Sequence, residues 1–125
     1  MPRSGAKRSS FAQRAVFNLL DNAAKWSPAG GPIEVRVARG EVTVRDHGPG
    51  IDESDLPHVF DRFYRSASAR GLPGSGLGLA IVRQVAEVHG GDVAAQRAEG
   101  GGALLRLRLP RDAFLHNSDG RLPVV

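Results

Sequence analysis

Three groups of residues in this chain have types and spacings that could do chemistry. Asn18, Asn22 and Lys25 recur at i, i+4 and i+7, so a helix would carry them on one face. Carboxamide oxygens are hard ligands that can share a small divalent cation with phosphate oxygens, and Lys25 can neutralise phosphate charge. Taken alone, the trio is also the polar face of an ordinary surface helix. Asp46 is followed by Gly48 and Gly50, whose missing side chains let the backbone approach a flat ligand closely. A carboxylate there can accept a proton from the exocyclic amine of adenine, whereas guanine would present an oxygen and be repelled. A lone Asp after a strand is more often a cap or turn residue.

The third group is Gly74-Ser75-Gly76-Leu77-Gly78-Leu79. Glycines opening a helix free backbone N–H groups to face phosphate oxygens, assisted by the helix dipole. The run lacks the Lys-Ser/Thr of a Walker loop. It also follows a loop rather than a strand, unlike a dinucleotide-binding fingerprint. Each group is weak alone. Together, and in this order, they suit the parts of Mg-ATP.

The elements that must position them follow from periodicity. Val16, Leu19, Leu20, Ala23 and Ala24 predict a helix from a cap at Ser9 or Ser10 to about Lys25, ended by the Pro/Gly segment 27–32. Ile33, Val35 and Val37, then Val42 and Val44, alternate with polar residues about Arg39-Gly40. This predicts a hairpin with one buried face that delivers Asp46 at a strand end. Leu77, Ala80, Ile81, Val85 and Val88 predict a helix over 76–89, ended by Gly90-Gly91. Strands follow at 92–97 and 103–109, turning at Gly100-Gly101-Gly102. The segment 65–74 reads as a mobile loop. A basic arm (1–10) and a loosely ordered tail (111–125) flank a domain over 11–110. The expected fold is an α/β two-layer sandwich, a mixed sheet with helices on one face.

Bulk composition narrows the classes. The 125 residues fit one domain, and 41% hydrophobic with 24% charged residues is ordinary for a packed core in water. No apolar run reaches the ~20 residues that span a bilayer, and the basic start lacks the apolar stretch of a secretory signal. Cysteine is absent, which excludes disulfides and thiolate chemistry and suits a cytoplasmic location. The net charge of +4 raises nucleic-acid binding as a class. The arginines are scattered, however, and one Trp and one Tyr make no stacking platform, so no nucleic-acid partner is expected.

Between the second and third groups lies Val59-Phe60-Asp61-Arg62-Phe63-Tyr64-Arg65, in which Phe60 and Phe63 are expected to be buried anchors. Arg65 and Arg70 could reach phosphates or be solvated. With this segment, the four motifs resemble, in order and spacing, the N, G1, F and G2 boxes of the catalytic ATP-binding domain of sensor histidine kinases. The wider superfamily includes gyrase-type ATPases and heat-shock chaperones. The resemblance covers about 11–110 and implies the Bergerat fold, with residues 52–75 as the ATP lid. It implies Asn22 as the main Mg2+ ligand with Asn18 assisting, and Lys25 and Arg65 at phosphate. Trp26 and Tyr64 would border the nucleotide, Asp46 would bind the adenine amine, and Gly48, Gly50 and Ile51 would form its turn. Gly74, Ser75, Gly76, Leu77, Gly78 and Leu79 would meet the phosphates.

Three departures sharpen the expectation. Gyrase-like ATPases and anti-sigma serine kinases carry a Glu base where Asn18 stands, and an amide cannot take a proton. A histidine acceptor needs no such base, because neutral imidazole offers a lone pair. The acceptor itself, in a His-Glu/Asp-x-x-x-Pro helix, is not found around His47, His58, His89 or His116. The family's first strand is expected to be missing before Phe11, and no Thr follows Gly102. The expected function is therefore the ATP-binding half of a histidine kinase. It would transfer the γ-phosphoryl to a histidine on a separate dimerisation domain, and indirectly serve a response regulator, with no direct membrane insertion. The alternatives are a non-catalytic nucleotide-binding module and an anti-sigma-type serine kinase.

Overall fold

The computed structural model describes residues 3–28, 31–64 and 77–110, with side chains from Ser10 onward. The elements are α1 (Arg3–Trp26), β1 (Glu34–Ala38), β2 (Glu41–Arg45), a short 3-10 turn (Leu56–His58), α2 (Gly78–Val88), β3 (Asp92–Arg97) and β4 (Ala103–Arg108). No described helix is long and apolar enough to cross a membrane.

The strands form one sheet in the order β1-β2-β4-β3, and all three pairings are antiparallel. Arg39 and Gly40 close the β1–β2 hairpin with φ of 52° and 78°, the paired left-handed geometry that matches strand twist. Val42 and Val44 of β2 stand opposite Leu107 and Leu105 of β4. These four are buried on one face, against Ala12, Ala15, Val16, Leu19 and Ala23 of α1 and Val82, Val85 and Ala86 of α2. The expected two-layer α/β sandwich is thus present. Leu19 and Leu107 are fully buried, and each contributes about 1.5–3 kcal/mol of hydrophobic stabilisation.

Four expectations change. The first helix starts at Arg3 rather than at a cap near Ser10, because Ala6, Lys7 and Arg8 are good helix formers and nothing before Ser27 breaks the run. β1 does not bury a face: Val35 and Val37 are 45% and 44% exposed. β1 is an edge strand, and the helix layer packs on β2, β3 and β4. The second helix spans Gly78–Val88, and its Val88 is 71% exposed. The buried stripe runs through Val82, Val85 and Ala86, and Val88 lies about 200° round the helix from Ala86. The strand expected to end at Leu109 ends at Arg108, although Leu109 still donates its N–H to the Gly40 carbonyl.

Candidate functional site

Asp46 continues the alternation of β2. Val42, Val44 and Asp46 share the side that faces the helices, while Arg45 and His47 fall on the outer face. Asp46 is only 3% exposed. Its main-chain N–H donates to the Ala103 carbonyl at 3.0 Å. Its Oδ1 accepts the N–H of Gly48 at 3.0 Å and that of Ala103 at 3.1 Å. Oδ2 takes part in neither bond. Two backbone donors on one oxygen fix the carboxylate and leave the second oxygen as the group available to an amine.

Two glycines are required by this arrangement. A Cβ on Gly48 would lie 2.2 Å from the Trp26 carbonyl oxygen. A Cβ on Gly102 would lie 1.9 Å from the Asp46 carbonyl oxygen, and Gly102 has φ +85°. Ile51, at the end of the turn, packs against the core.

The helix α1 carries the second part of the site. Leu19 and Ala23 are buried, so the neighbouring Asn18 and Asn22 are held at the margin of the core, half-buried, with Lys25 exposed and Trp26 half-buried. Asn18 donates its Nδ2–H to the Gly78 carbonyl at 3.2 Å. Its Oδ1 is not used in that bond. At the start of α2, Leu77 supplies no side-chain cap to the first-turn N–H groups, and a Cβ on Gly78 would meet open space. Leu79 is half-buried against the core. Among the described residues, first-turn N–H groups that the Leu77 side chain does not cap, with Asn18 bonded to Gly78 beside them, suit an anion with an oxygen-bound cation. One helix therefore touches both glycine motifs: at Trp26 the turn after Asp46, and at Asn18 the start of α2.

The segment before residue 65 is attached to α2 by side chains. Asp61 accepts one hydrogen bond from Arg83 of α2 at 3.0 Å and, within its own segment, pairs with His58 at 3.1 Å. The His58 hydrogen bond, then the Arg83 one, hold the Asp61 carboxyl below its ordinary value. Phe60 is buried, as expected. Phe63 is not: it is 59% exposed with φ +64°, a left-handed backbone that turns its ring outward beneath the Arg62 guanidinium, 4.9 Å away. The Tyr64 hydroxyl bonds the Asp55 carboxylate, which pushes that hydroxyl above its ordinary value. Arg65, Gly74, Ser75 and Gly76 lie outside the described residues, as do residues 65–75 of the expected lid and the expected tail.

Sequence reasoning missed several supporting residues. Ala103 clamps Asp46 through its main chain, which no side-chain motif announces; the only signal was the glycine run before it. Glu34 bonds His47 at 2.7 Å, and Ser27 Oγ faces the His47 N–H at 3.5 Å. Each described histidine is engaged: His47 with Glu34, His58 with Asp61, and His89, whose Nδ1–H donates to the Val85 carbonyl at 2.8 Å.

Comparison with known proteins shows the family. Residues 7–113 match the family model described as histidine kinase-, DNA gyrase B-, and HSP90-like ATPase. The signal transduction histidine-protein kinase/phosphatase MprB of Mycobacterium sp. (strain KMS) is 55% identical over 120 residues, covering 89% of this chain and 23% of that protein. MprB of Mycobacterium tuberculosis (strain ATCC 25618 / H37Rv) is 54% identical over 94 residues, covering 71% of this chain and 19% of that protein. The chain thus spans about a quarter or less of the curated relatives it matches. A solved structure titled mycobacterial sensor histidine kinase MprB superposes with a TM-score of 0.73 at 49% identity, covering 81% of this chain and 72% of that one. Full-length ShkA in complex with AMPPNP superposes at 0.64 with 28% identity, covering 80% of this chain and 21% of that one. With its fold and these likenesses in agreement, the chain belongs to the histidine kinase-, DNA gyrase B-, and HSP90-like ATPase family.

Proposed function

We propose that this chain binds Mg-ATP and presents the γ-phosphoryl group to a histidine of a dimerisation and phosphoacceptor domain, in a two-component pathway that continues to a response regulator. The observation that carries the reading is that α1 touches both glycine motifs, so a buried carboxylate and a helix start that Leu77 does not cap flank one row of amides. The complex of ShkA with AMPPNP supports it by likeness. When bound, Mg-ATP supplies the transferable phosphoryl group and a divalent charge.

The chain's own residues do the rest. Asp46 accepts the adenine amine proton through Oδ2, with Oδ1 already held by two N–H groups. Trp26 and Ile51 border the ring, and Gly48 and Gly50 let the turn approach it. The carboxamide oxygens of Asn22 and Asn18 hold the cation, and Lys25 and the first N–H groups of α2, from Gly78 and Leu79, face phosphate beside Leu77. Arg65, Tyr64, Gly74, Ser75 and Gly76 join the phosphate end on sequence grounds. Catalysis comes from positioning and charge neutralisation. Asn18 offers no base, so an acceptor that already carries a lone pair, such as neutral imidazole, is favoured over water or serine. Such a reaction belongs in the cytoplasm, where ATP is supplied.

The test has two stages. Mg-ATP is titrated while the fluorescence of the sole tryptophan, Trp26, is followed; saturation near ~100 μM is expected. Labelled ATP is then given with a histidine-bearing dimerisation domain. Acid-labile label on that domain supports the proposal. Acid-stable label indicates a serine kinase, and binding without transfer indicates a regulatory nucleotide-binding module.

A further inference from the structure

We infer that Glu34, at the start of the edge strand β1, is a positioning residue for the adenine-binding carboxylate Asp46, acting through both residues that flank it. The inference rests on the reading of Asp46 as the adenine ligand. The β1–β2 ladder ends at the pair Glu34 and Arg45. Beyond that pair, the chain carrying Asp46 has no further strand partner on the β1 side. On the other side, its N–H still reaches the Ala103 carbonyl at 3.0 Å. The Glu34 side chain takes over where the ladder stops. Its Oε2 lies 2.7 Å from His47 Nε2 and 3.9 Å from Arg45 Nη1. Strand alternation puts Arg45 and His47 on the outer face and Asp46 on the inner one, so one carboxylate pins both neighbours of Asp46 from behind.

The bracket closes on the far side. Arg45 donates from Nη2 to the Gly101 carbonyl at 2.9 Å. Gly101 belongs to the turn that leads into Ala103, whose N–H bonds Asp46 Oδ1 at 3.1 Å. His47 in turn directs its N–H toward Ser27 Oγ at 3.5 Å, just past the end of α1. The turn is therefore tied to β1, to the β3–β4 turn and to the end of α1 around one buried carboxylate. Glu34 does little else. Its side chain is 56% exposed, and every residue of β1 is exposed, so truncating it removes little packing. The His47 hydrogen bond, with help from Arg45, holds the Glu34 carboxyl below its ordinary value, as expected of a carboxylate that stays charged in the bracket.

The test measures ADP binding by calorimetry on the 125-residue chain and on Glu34→Ala, His47→Ala, the double variant and Asp46→Asn. Inorganic triphosphate serves as a competing ligand without adenine. Glu34→Ala is expected to weaken ADP about threefold while leaving triphosphate affinity and the melting temperature near those of the parent chain. The double variant is expected to bind ADP no more weakly than Glu34→Ala alone, because His47→Ala removes only a contact that Glu34→Ala has already removed. Glu34→Gln, which keeps an acceptor for His47, is expected to recover part of the loss. Unchanged ADP affinity in Glu34→Ala, additive losses in the double variant, or equal losses of ADP and triphosphate would each overturn the inference. If Asp46→Asn binds ADP as tightly as the parent, the adenine assignment falls and this inference with it. If Asp46→Asn binds weakly while Glu34→Ala binds normally, only the positioning role of Glu34 falls.

Discussion

Two carboxylates in this chain are held in opposite ways. Asp46 is buried and gripped by main-chain N–H groups of Gly48 and Ala103. Asp61 has a side chain 42% exposed and is held by the side chains of His58 and Arg83. Main-chain donors cannot swing away, lose charge or be screened, so the Asp46 turn is a fixed socket. The Asp61 contact is a surface ion pair, open to salt and acid, and contributes little to stability. The end of the site assigned to adenine is built by backbone. The segment leading toward residue 65 is tied to α2 by the exchangeable Asp61–Arg83 pair, while its Phe60 is buried in the core.

The most direct way to break this contrast is to spoil the socket. Gly102→Ala forces a Cβ to within 1.9 Å of the Asp46 carbonyl oxygen at φ +85°. It should cost about 3 kcal/mol or more of folding stability, read by urea denaturation, with loss of ADP binding. Next is the row of amides joining the two regions. Asn22→Ala should lower phosphoryl transfer on the order of 100-fold in a labelled-ATP assay, with a smaller effect on nucleotide binding; full transfer would move the cation site elsewhere. Asp46→Asn keeps an oxygen for the backbone donors but removes the charge. It should weaken ATP binding by roughly 1–3 kcal/mol by calorimetry. An unchanged affinity would mean that the fixed socket does not serve adenine.

The smallest effects belong to Asp61. Asp61→Asn should lower the melting temperature only slightly at neutral pH, and less still at high salt. The sign with pH follows from its depressed ionisation. The contribution is fully present above the ordinary aspartate value of 3.8 and is lost as pH falls through the lower folded-state value. Acid titration of melting temperature should therefore be flatter in Asp61→Asn than in the parent. Equal curves would show that the surface pair has no measurable weight.

What could be read from the sequence was whatever one element encodes locally. The i, i+4, i+7 row on α1, the hairpin at Arg39-Gly40, the glycine run before β4 and the delivery of Asp46 at a strand end all follow from short-range periodicity and turn chemistry. What could not be read depends on neighbours distant in the chain. Val35 and Val37 alternate as a half-buried strand should, yet whether their face is covered is decided by where the helices lie. Phe63 is apolar, but a left-handed backbone angle, not its chemistry, turns it outward. Ala103 acts through its amide, which every residue but proline possesses. The Asn18 bond to Gly78 joins two motifs read separately, and it is a property of helix packing.

The double attachment of α1 has a metrical consequence. The helix meets α2 at Asn18 and the Asp46 turn at Trp26, points separated by about 12 Å along an axis that rises about 1.5 Å per residue. A single inserted residue between them would lengthen that span by about 1.5 Å and rotate one end about 100° against the other. Substitutions in this stretch leave the spacing of the two ends unchanged, whereas an insertion or deletion would put the two ends of the site out of register. The segment from Asn18 to Trp26 is thus a ruler, constrained in length more strictly than in composition.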